Sequence, residues 1–70
     1  MMKPNLNEGY ILEFVRVGDF VKVSAIDPKS GIEACIMTPV KGVTQKQRQD
    51  LAIQKLKYVI NKSKEKKSNQ

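Results

Sequence analysis

Histidine and tryptophan are absent from this 70-residue chain, and cysteine occurs once, at Cys35. Without histidine, the Ser-His-Asp and Cys-His catalytic arrangements are excluded within one chain. A zinc site needs three or four Cys, His or carboxylate ligands, whereas here one cysteine accompanies seven scattered acids. A single cysteine also excludes an internal disulfide and favours a reducing, cytoplasmic compartment. The sequence therefore predicts a protein that is not an enzyme and binds no metal or cofactor.

Long hydrophobic runs are missing as well. No segment approaches the roughly 18 apolar residues that a membrane span needs, and the N-terminal stretch MMKPNLN lacks the apolar segment of a secretory signal. With 40% hydrophobic and 29% charged residues, the composition indicates one small soluble domain. A chain of this length buries only a modest core, so we expect about three packed elements and no membrane partner.

The middle of the chain has the pattern of a β-hairpin. Residues 10–17 and 20–26 are rich in β-branched and aromatic side chains, which favour strands. Gly18-Asp19 lies between them and fits a two-residue type II′ turn. This turn places Val17 opposite Phe20 and thereby predicts the register of both strands.

A second turn signal, Asp27-Pro28-Lys29-Ser30-Gly31, follows the hairpin. Asp27 is a turn former that can accept from the backbone two residues on, and the turn is predicted to be type I, closing with a glycine bulge at Gly31. A third strand is predicted from Ile32 to Thr38, with Ile26 opposite Ile32. In that register the core face of this strand carries Cys35 and Met37, and the other face carries Ala34 and Ile36.

One helix is predicted after Pro39. Thr44 and Gln47 have the spacing of a capping box, and the helix is expected to run from Gln45 to Asn61 or Lys62. Its apolar stripe is centred on Ala52, Leu56 and Val59, flanked by Leu51, Ile53 and Ile60. We therefore predict an α+β domain over residues 9–62, a three-stranded antiparallel β-meander packed against one C-terminal α-helix. Residues 1–8 are predicted to be a flexible lead-in, and residues 63–70 a disordered basic tail.

Several stretches of the sequence resemble a known family. They are EFVRVG at 13–18, VKV at 21–23, AIDPKSGIEA at 25–34 and LKYV at 56–59. Over residues 9–60 the chain resembles a small bacterial family of about this length that is described only as a domain of unknown function. This resemblance implies no activity, substrate or site residue.

One helix can cover only one face of such a sheet. The uncovered face is predicted to expose apolar side chains, and an exposed apolar patch of several hundred Å² usually marks an interface. Residues 1–8 or the C-terminal tail are the alternative cover, but they offer few apolar residues. We expect a non-enzymatic interaction module that forms a homodimer through this face or through an edge strand. The candidate surface consists of Val15, Val17, Phe20, Lys22 and Ile36.

Charge is divided unevenly along the chain. Residues 1–40 carry four basic and five acidic side chains, whereas residues 41–70 carry nine basic and two acidic ones. A basic C-terminal arm can bind polyanions, so the alternative function is a nucleic-acid-binding accessory protein. The opposing interpretation is that these lysines are solvated at the C-terminal end of the helix, where the helix dipole stabilises cations. The candidate anion-binding side chains are Arg16, Lys55, Lys57, Lys62, Lys64, Lys66 and Lys67.

Two charged side chains of the strands, Arg16 and Glu33, have possible contacts within the chain. Arg16 could contact an anion or a partner, or it could lie along Val21 or pair with Asp19 or Glu33. Glu33 is predicted on the core side, opposite Ala25, where it could pair with Lys55.

Overall fold

The computed structural model describes residues 5–7 and 9–68, with side chains from Gly9 to Lys64. Its elements are β1 (Asn5–Asn7), β2 (Tyr10–Val17), β3 (Phe20–Ile26), β4 (Glu33–Pro39) and α1 (Gln45–Ser68). The strands form one antiparallel sheet in the order β1-β2-β3-β4. The predicted α+β class is confirmed, because three of these strands form the expected meander and one helix follows them.

β1 lies within the stretch that the sequence predicts as a flexible lead-in. It pairs with the start of β2, with Asn5 opposite Leu12 and Asn7 opposite Tyr10. A three-residue strand is too short to show a period of two, and asparagine is depleted in strands. The pairing depends on the edge that β2 offers, which a local sequence pattern does not reveal.

The β2–β3 hairpin has the predicted register. Val17 lies opposite Phe20, and Leu12 lies opposite Ala25. Gly18 has a φ of +61°, in the left-handed region that a two-residue hairpin turn requires. The hairpin therefore sends Leu12 and Ala25 to the same face, where both are fully buried.

The loop between β3 and β4 differs from the prediction by one residue. The Asp27 N–H donates to the Ile32 carbonyl at 2.8 Å, so the loop closes at this pair and Ile26 lies opposite Glu33. Asp27 acts as the predicted turn former: its carboxylate accepts from the Lys29 N–H and from the Ser30 hydroxyl, each at 3.0 Å. The sequence placed Ile32 opposite Ile26, which is wrong.

A shift of one residue exchanges the two faces of a strand. Ala34 and Ile36 therefore face the helix, and Ala34 is buried. Cys35 and Met37 lie on the opposite, uncovered face, and both are exposed. The predicted core positions of Cys35 and Met37 are wrong for this reason. Glu33 is likewise exposed on the uncovered face rather than opposite Ala25.

The helix starts as predicted and ends later. The Thr44 N–H donates to Gln47 Oε1 at 2.9 Å and the Gln47 N–H donates to Thr44 Oγ1 at 3.1 Å, which completes the capping box. α1 continues to Ser68, past the expected end at Asn61 or Lys62. Lysine and glutamate are good helix formers, so the polar stretch continues the helix without an apolar stripe. Within the described residues no helix is both long and apolar enough to cross a membrane.

The core lies between α1 and the sheet, where the helix packs against β3 and β4. Tyr10, Phe14 and other half-buried side chains pack around the fully buried ones. Leu51, predicted to flank the stripe, is exposed. The buried hydrophobic residues are Leu12, Val23, Ala25, Ala34, Ala52, Ile53 and Leu56.

Arg48 is a buried cation in the first turns of α1, with only 8% of its surface exposed. Its Nε donates to Thr38 Oγ1 at 2.8 Å, and one terminal nitrogen donates to the carbonyls of Pro39 and Val40 at 3.0 and 2.9 Å. A buried charge is costly unless its donors are satisfied. These three acceptors offset part of that cost and join the helix to the end of β4.

We expect Arg48→Met to lower the free energy of unfolding by about 2 kcal/mol, because a buried hydroxyl and two carbonyls lose a charged donor. Arg48→Lys should restore only part of the loss, since one ammonium lacks the planar fork that spans all three acceptors. Urea unfolding followed by circular dichroism measures both. Lys46→Met is the control: Lys46 pairs with Asp50 at 2.9 Å on the exposed side of the same turns. Equal losses for Arg48→Met and Lys46→Met would contradict this role of Arg48.

Candidate functional site

The face of the sheet opposite α1, called here the open face, carries a group of exposed apolar side chains. Val15, Val17, Phe20 and Met37 are 55%, 50%, 48% and 54% exposed. Val15 and Val17 come from β2, Phe20 from β3 and Met37 from β4, so the group extends across three strands. In a strand the side chains alternate between faces, and the register places all four on the same one.

The strand register arranges the open face in rows that run across β2, β3 and β4. The central rows are polar in part: Glu13 lies beside Ser24, and Lys22 lies beside Val15. From one end of the sheet to the other, the rows are Ile11–Ile26–Glu33, Glu13–Ser24–Cys35, Val15–Lys22–Met37 and Val17–Phe20–Pro39. The largest exposed apolar surface is therefore at the end nearest the Gly18 turn.

Four of the five residues predicted for the interaction surface lie on the open face: Val15, Val17, Phe20 and Lys22. Ile36, the fifth, is placed wrongly, because the Asp27–Ile32 closure turns it toward the helix, where it is half-buried. Met37 lies on the open face instead, and the predicted surface does not include it. The position of Met37 follows from the loop: once Asp27 and Ile32 form the closing pair, the alternation along β4 places Met37 on the open face.

Charges of both signs are present on the open face. Glu13, Lys22 and Glu33 are all exposed there. Among the residues with described side chains, none of these three forms an ion pair within its own chain. An exposed cation and two exposed acids on one face are therefore available to groups from outside the chain.

Arg16 lies at the end of β2, on the helix side of the sheet and opposite Val21. Its Nε donates to the Gly18 carbonyl at 2.9 Å, across the hairpin turn. Of the alternatives that the sequence leaves open for Arg16, the structure places it beside Val21 and gives it this carbonyl contact rather than a pair with Asp19 or Glu33. The side chain also lines a shallow concavity of about 390 Å³ with Asp19, Phe20, Pro39, Val40 and Lys41.

The helix lysines with described side chains do not form one basic face. At about 100° per residue, Lys55 and Lys62 lie on one side of α1 and Lys57 and Lys64 lie about 160° away from them. The side chains of Lys66 and Lys67 lie outside the described residues. The positive charge in the described part of the helix is thus spread over opposite sides rather than collected against one strand of phosphates.

Lys55 has a structural contact. Its Nζ donates to the Cys35 carbonyl at 3.0 Å, on the outer edge of β4. The expected pair between Lys55 and Glu33 is therefore wrong, because Glu33 points to the open face. A lysine laid against an edge strand hinders pairing with a further strand.

Comparison with known proteins gives a family and no activity. The family model described as "Domain of unknown function (DUF6898)" matches residues 7–63. The chain belongs to this family. No curated protein and no solved structure matches it. The match to a domain of unknown function agrees with the resemblance stated above, and the bacterial origin of that family stays a prediction.

The alternative function, nucleic-acid binding, is tested by fluorescence anisotropy on random-sequence duplexes and single strands. We expect no binding tighter than micromolar at about 50 mM salt and a small salt dependence, because few described lysines can face one backbone together. Lys57→Gln and Lys62→Gln, on opposite sides of α1, should have equal and small effects. Tight binding that falls steeply at about 200 mM salt and is lost with either variant would contradict this expectation.

Proposed function

We propose that this chain is a non-enzymatic interaction module that associates with a second copy of itself through the open face. The observation that carries the proposal is the group of four half-exposed apolar side chains on one uncovered sheet face. Contiguous apolar surface of this kind is typical of interfaces rather than of the surface of a monomer. The absence of histidine supports the non-enzymatic part of the proposal.

A second copy fits the open face for two physical reasons. Among the residues with described side chains, seven hydrophobic ones are buried, and three of these are alanine. Small domains with such limited cores are often completed by oligomerisation. The open face also carries Lys22 together with Glu13 and Glu33, so one copy supplies both the cation and the acids that another copy needs.

The two sheet edges fit a partner less well. At β4 the Lys55 ammonium occupies the Cys35 carbonyl, which a further strand would have to use. At the other edge β1 already covers the start of β2, from Tyr10 to Leu12. Of the two routes to a dimer that the sequence leaves open, these contacts favour the open face over an edge strand.

A cytoplasmic location belongs to the same proposal. Cys35 is the only cysteine in the chain, and it is exposed as a free thiol. An exposed unpaired thiol is compatible with a reducing compartment, where thiols persist without forming disulfides.

We expect Phe20→Asp to convert a dimer into a monomer, because it places a charge within the apolar end of the open face. Sedimentation equilibrium at tens of micromolar chain gives the mass. The matched control is Tyr58→Asp, an equal exchange at an aromatic residue that is 62% exposed on α1. Val15→Asp provides a second test on a neighbouring strand, and circular dichroism confirms that each variant is folded. A monomeric wild-type chain, or a dimer lost equally in Tyr58→Asp, would overturn the proposal.

Alkylation of Cys35 supplies an independent test, because its side chain lies on the open face beside Ser24. We expect its reaction with a maleimide to slow at least severalfold as the chain concentration rises through the dissociation constant, since the dimer covers the thiol. In Phe20→Asp the rate should stay at the fast, monomeric value at every concentration. A rate that does not change while the mass doubles would place the interface elsewhere.

A further inference from the structure

We infer that the two copies pack face to face about a two-fold axis that runs across the strands, so that Lys22 of each copy pairs with Glu13 of the partner subunit. This inference rests on the proposed self-association and adds its geometry. It follows from the order of the rows on the open face and from the signs of the charges within them.

The position of the axis follows from the two central rows. Glu13 belongs to the row Glu13–Ser24–Cys35 and Lys22 to the adjacent row Val15–Lys22–Met37. Neighbouring rows on one face are about 6.7 Å apart along the strands. An axis lying between the two sheets, parallel to the rows and midway between these two, lays each row of one copy over the other row of the second. Lys22 then lies above Ser24 of the partner subunit, one strand away from Glu13 of the partner subunit.

The reach of the side chains agrees with this arrangement. Packed sheets are about 10 Å apart, and adjacent strands are about 4.8 Å apart. A lysine and a glutamate that extend toward each other from the two sheets span that gap. The symmetry makes two such ion pairs for each dimer, both near the centre of the interface.

The outer rows are matched by the same axis. Val17–Phe20–Pro39 of one copy falls over Ile11–Ile26–Glu33 of the other. Phe20 is thereby placed on Ile26 of the partner subunit, and Val17 is placed on Ile11 of the partner subunit. The most exposed apolar end of one sheet covers the half-buried isoleucines of the other.

An axis parallel to the strands gives a poorer match. If β3 crosses over β3 in that orientation, each row faces its own copy, and Lys22 meets Lys22 of the partner subunit. Two ammonium groups facing each other within an apolar interface repel. The charges on the open face therefore discriminate between the two symmetric arrangements.

Charge reversal tests the inference in the full-length chain. Glu13→Lys and Lys22→Glu should each raise the dissociation constant of the dimer about tenfold, because each replaces two attractions by two repulsions. The double variant Glu13→Lys/Lys22→Glu should return to within about threefold of wild type, since both pairs are restored with reversed sign. Sedimentation equilibrium over a concentration series measures all four constants.

Glu33→Lys combined with Lys22→Glu is the matched control. Glu33 lies on the same face and has the same charge as Glu13, but it is one row further from Lys22 of the partner subunit, so this combination should restore less than Glu13→Lys does. If the reversed chains do not fold, Glu13→Gln and Lys22→Gln replace them, and the double variant should then be no weaker than the weaker single variant.

The outcomes separate the geometry from the proposed function. A wild-type dimer in which the double variant is as weak as the two single effects combined overturns the crosswise axis and leaves self-association standing. A wild-type chain that is monomeric at tens of micromolar overturns both.

Discussion

The backbone hydrogen bond from Asp27 to the Ile32 carbonyl decides which side chains the sheet presents to each side. Once this pair closes the loop at 2.8 Å, the alternation of β4 leaves no freedom. Ala34 and Ile36 join the core beneath the helix, and Met37 joins the uncovered face. The Asp27 carboxylate holds the loop in this form by accepting from Lys29 and Ser30. Which side chains of β4 lie on the open face, and so in the proposed interface, depends on a loop that belongs to neither.

Arg48 then determines which part of the sheet the helix covers. Its guanidinium binds the Thr38 hydroxyl and the carbonyls of Pro39 and Val40 at the end of β4, so the start of α1 is held at that end of the sheet. A cation near a helix N-terminus is opposed by the helix dipole, and the three oxygen acceptors offset this effect. The helix packs on one face of the sheet, against β3 and β4, so it covers none of the opposite face. The same contact that completes the small core leaves the apolar open face without cover from the chain's own helix.

The predictable part of the fold is the part that local chemistry encodes. Gly18, with its two-residue turn, and the Thr44 capping box each depend on residues within three positions of one another, and both form as predicted. The strand that begins at Asn5 depends on the edge of β2, and the buried position of Arg48 depends on carbonyls eight and nine residues away. Neither has a periodic signature. For the candidate site, the hairpin register correctly places four of the five residues on the open face. The predicted position of Ile36 is wrong because it depends on the register across the longer loop between β3 and β4.

The open face combines apolar side chains with a few charges, and that mixture bears on specificity more than on affinity. An entirely apolar sheet face would accept any other apolar surface and would favour aggregation. Lys22, placed among valines and a methionine, makes such nonspecific contact costly because its ammonium would lose water without gaining a partner. A surface that brings an acid to within reach of Lys22 removes this cost, and Glu13 lies in the adjacent row of the same face. In the proposed dimer a second copy presents this arrangement without any further protein, so the charge that disfavours unselective contact also selects the matched one.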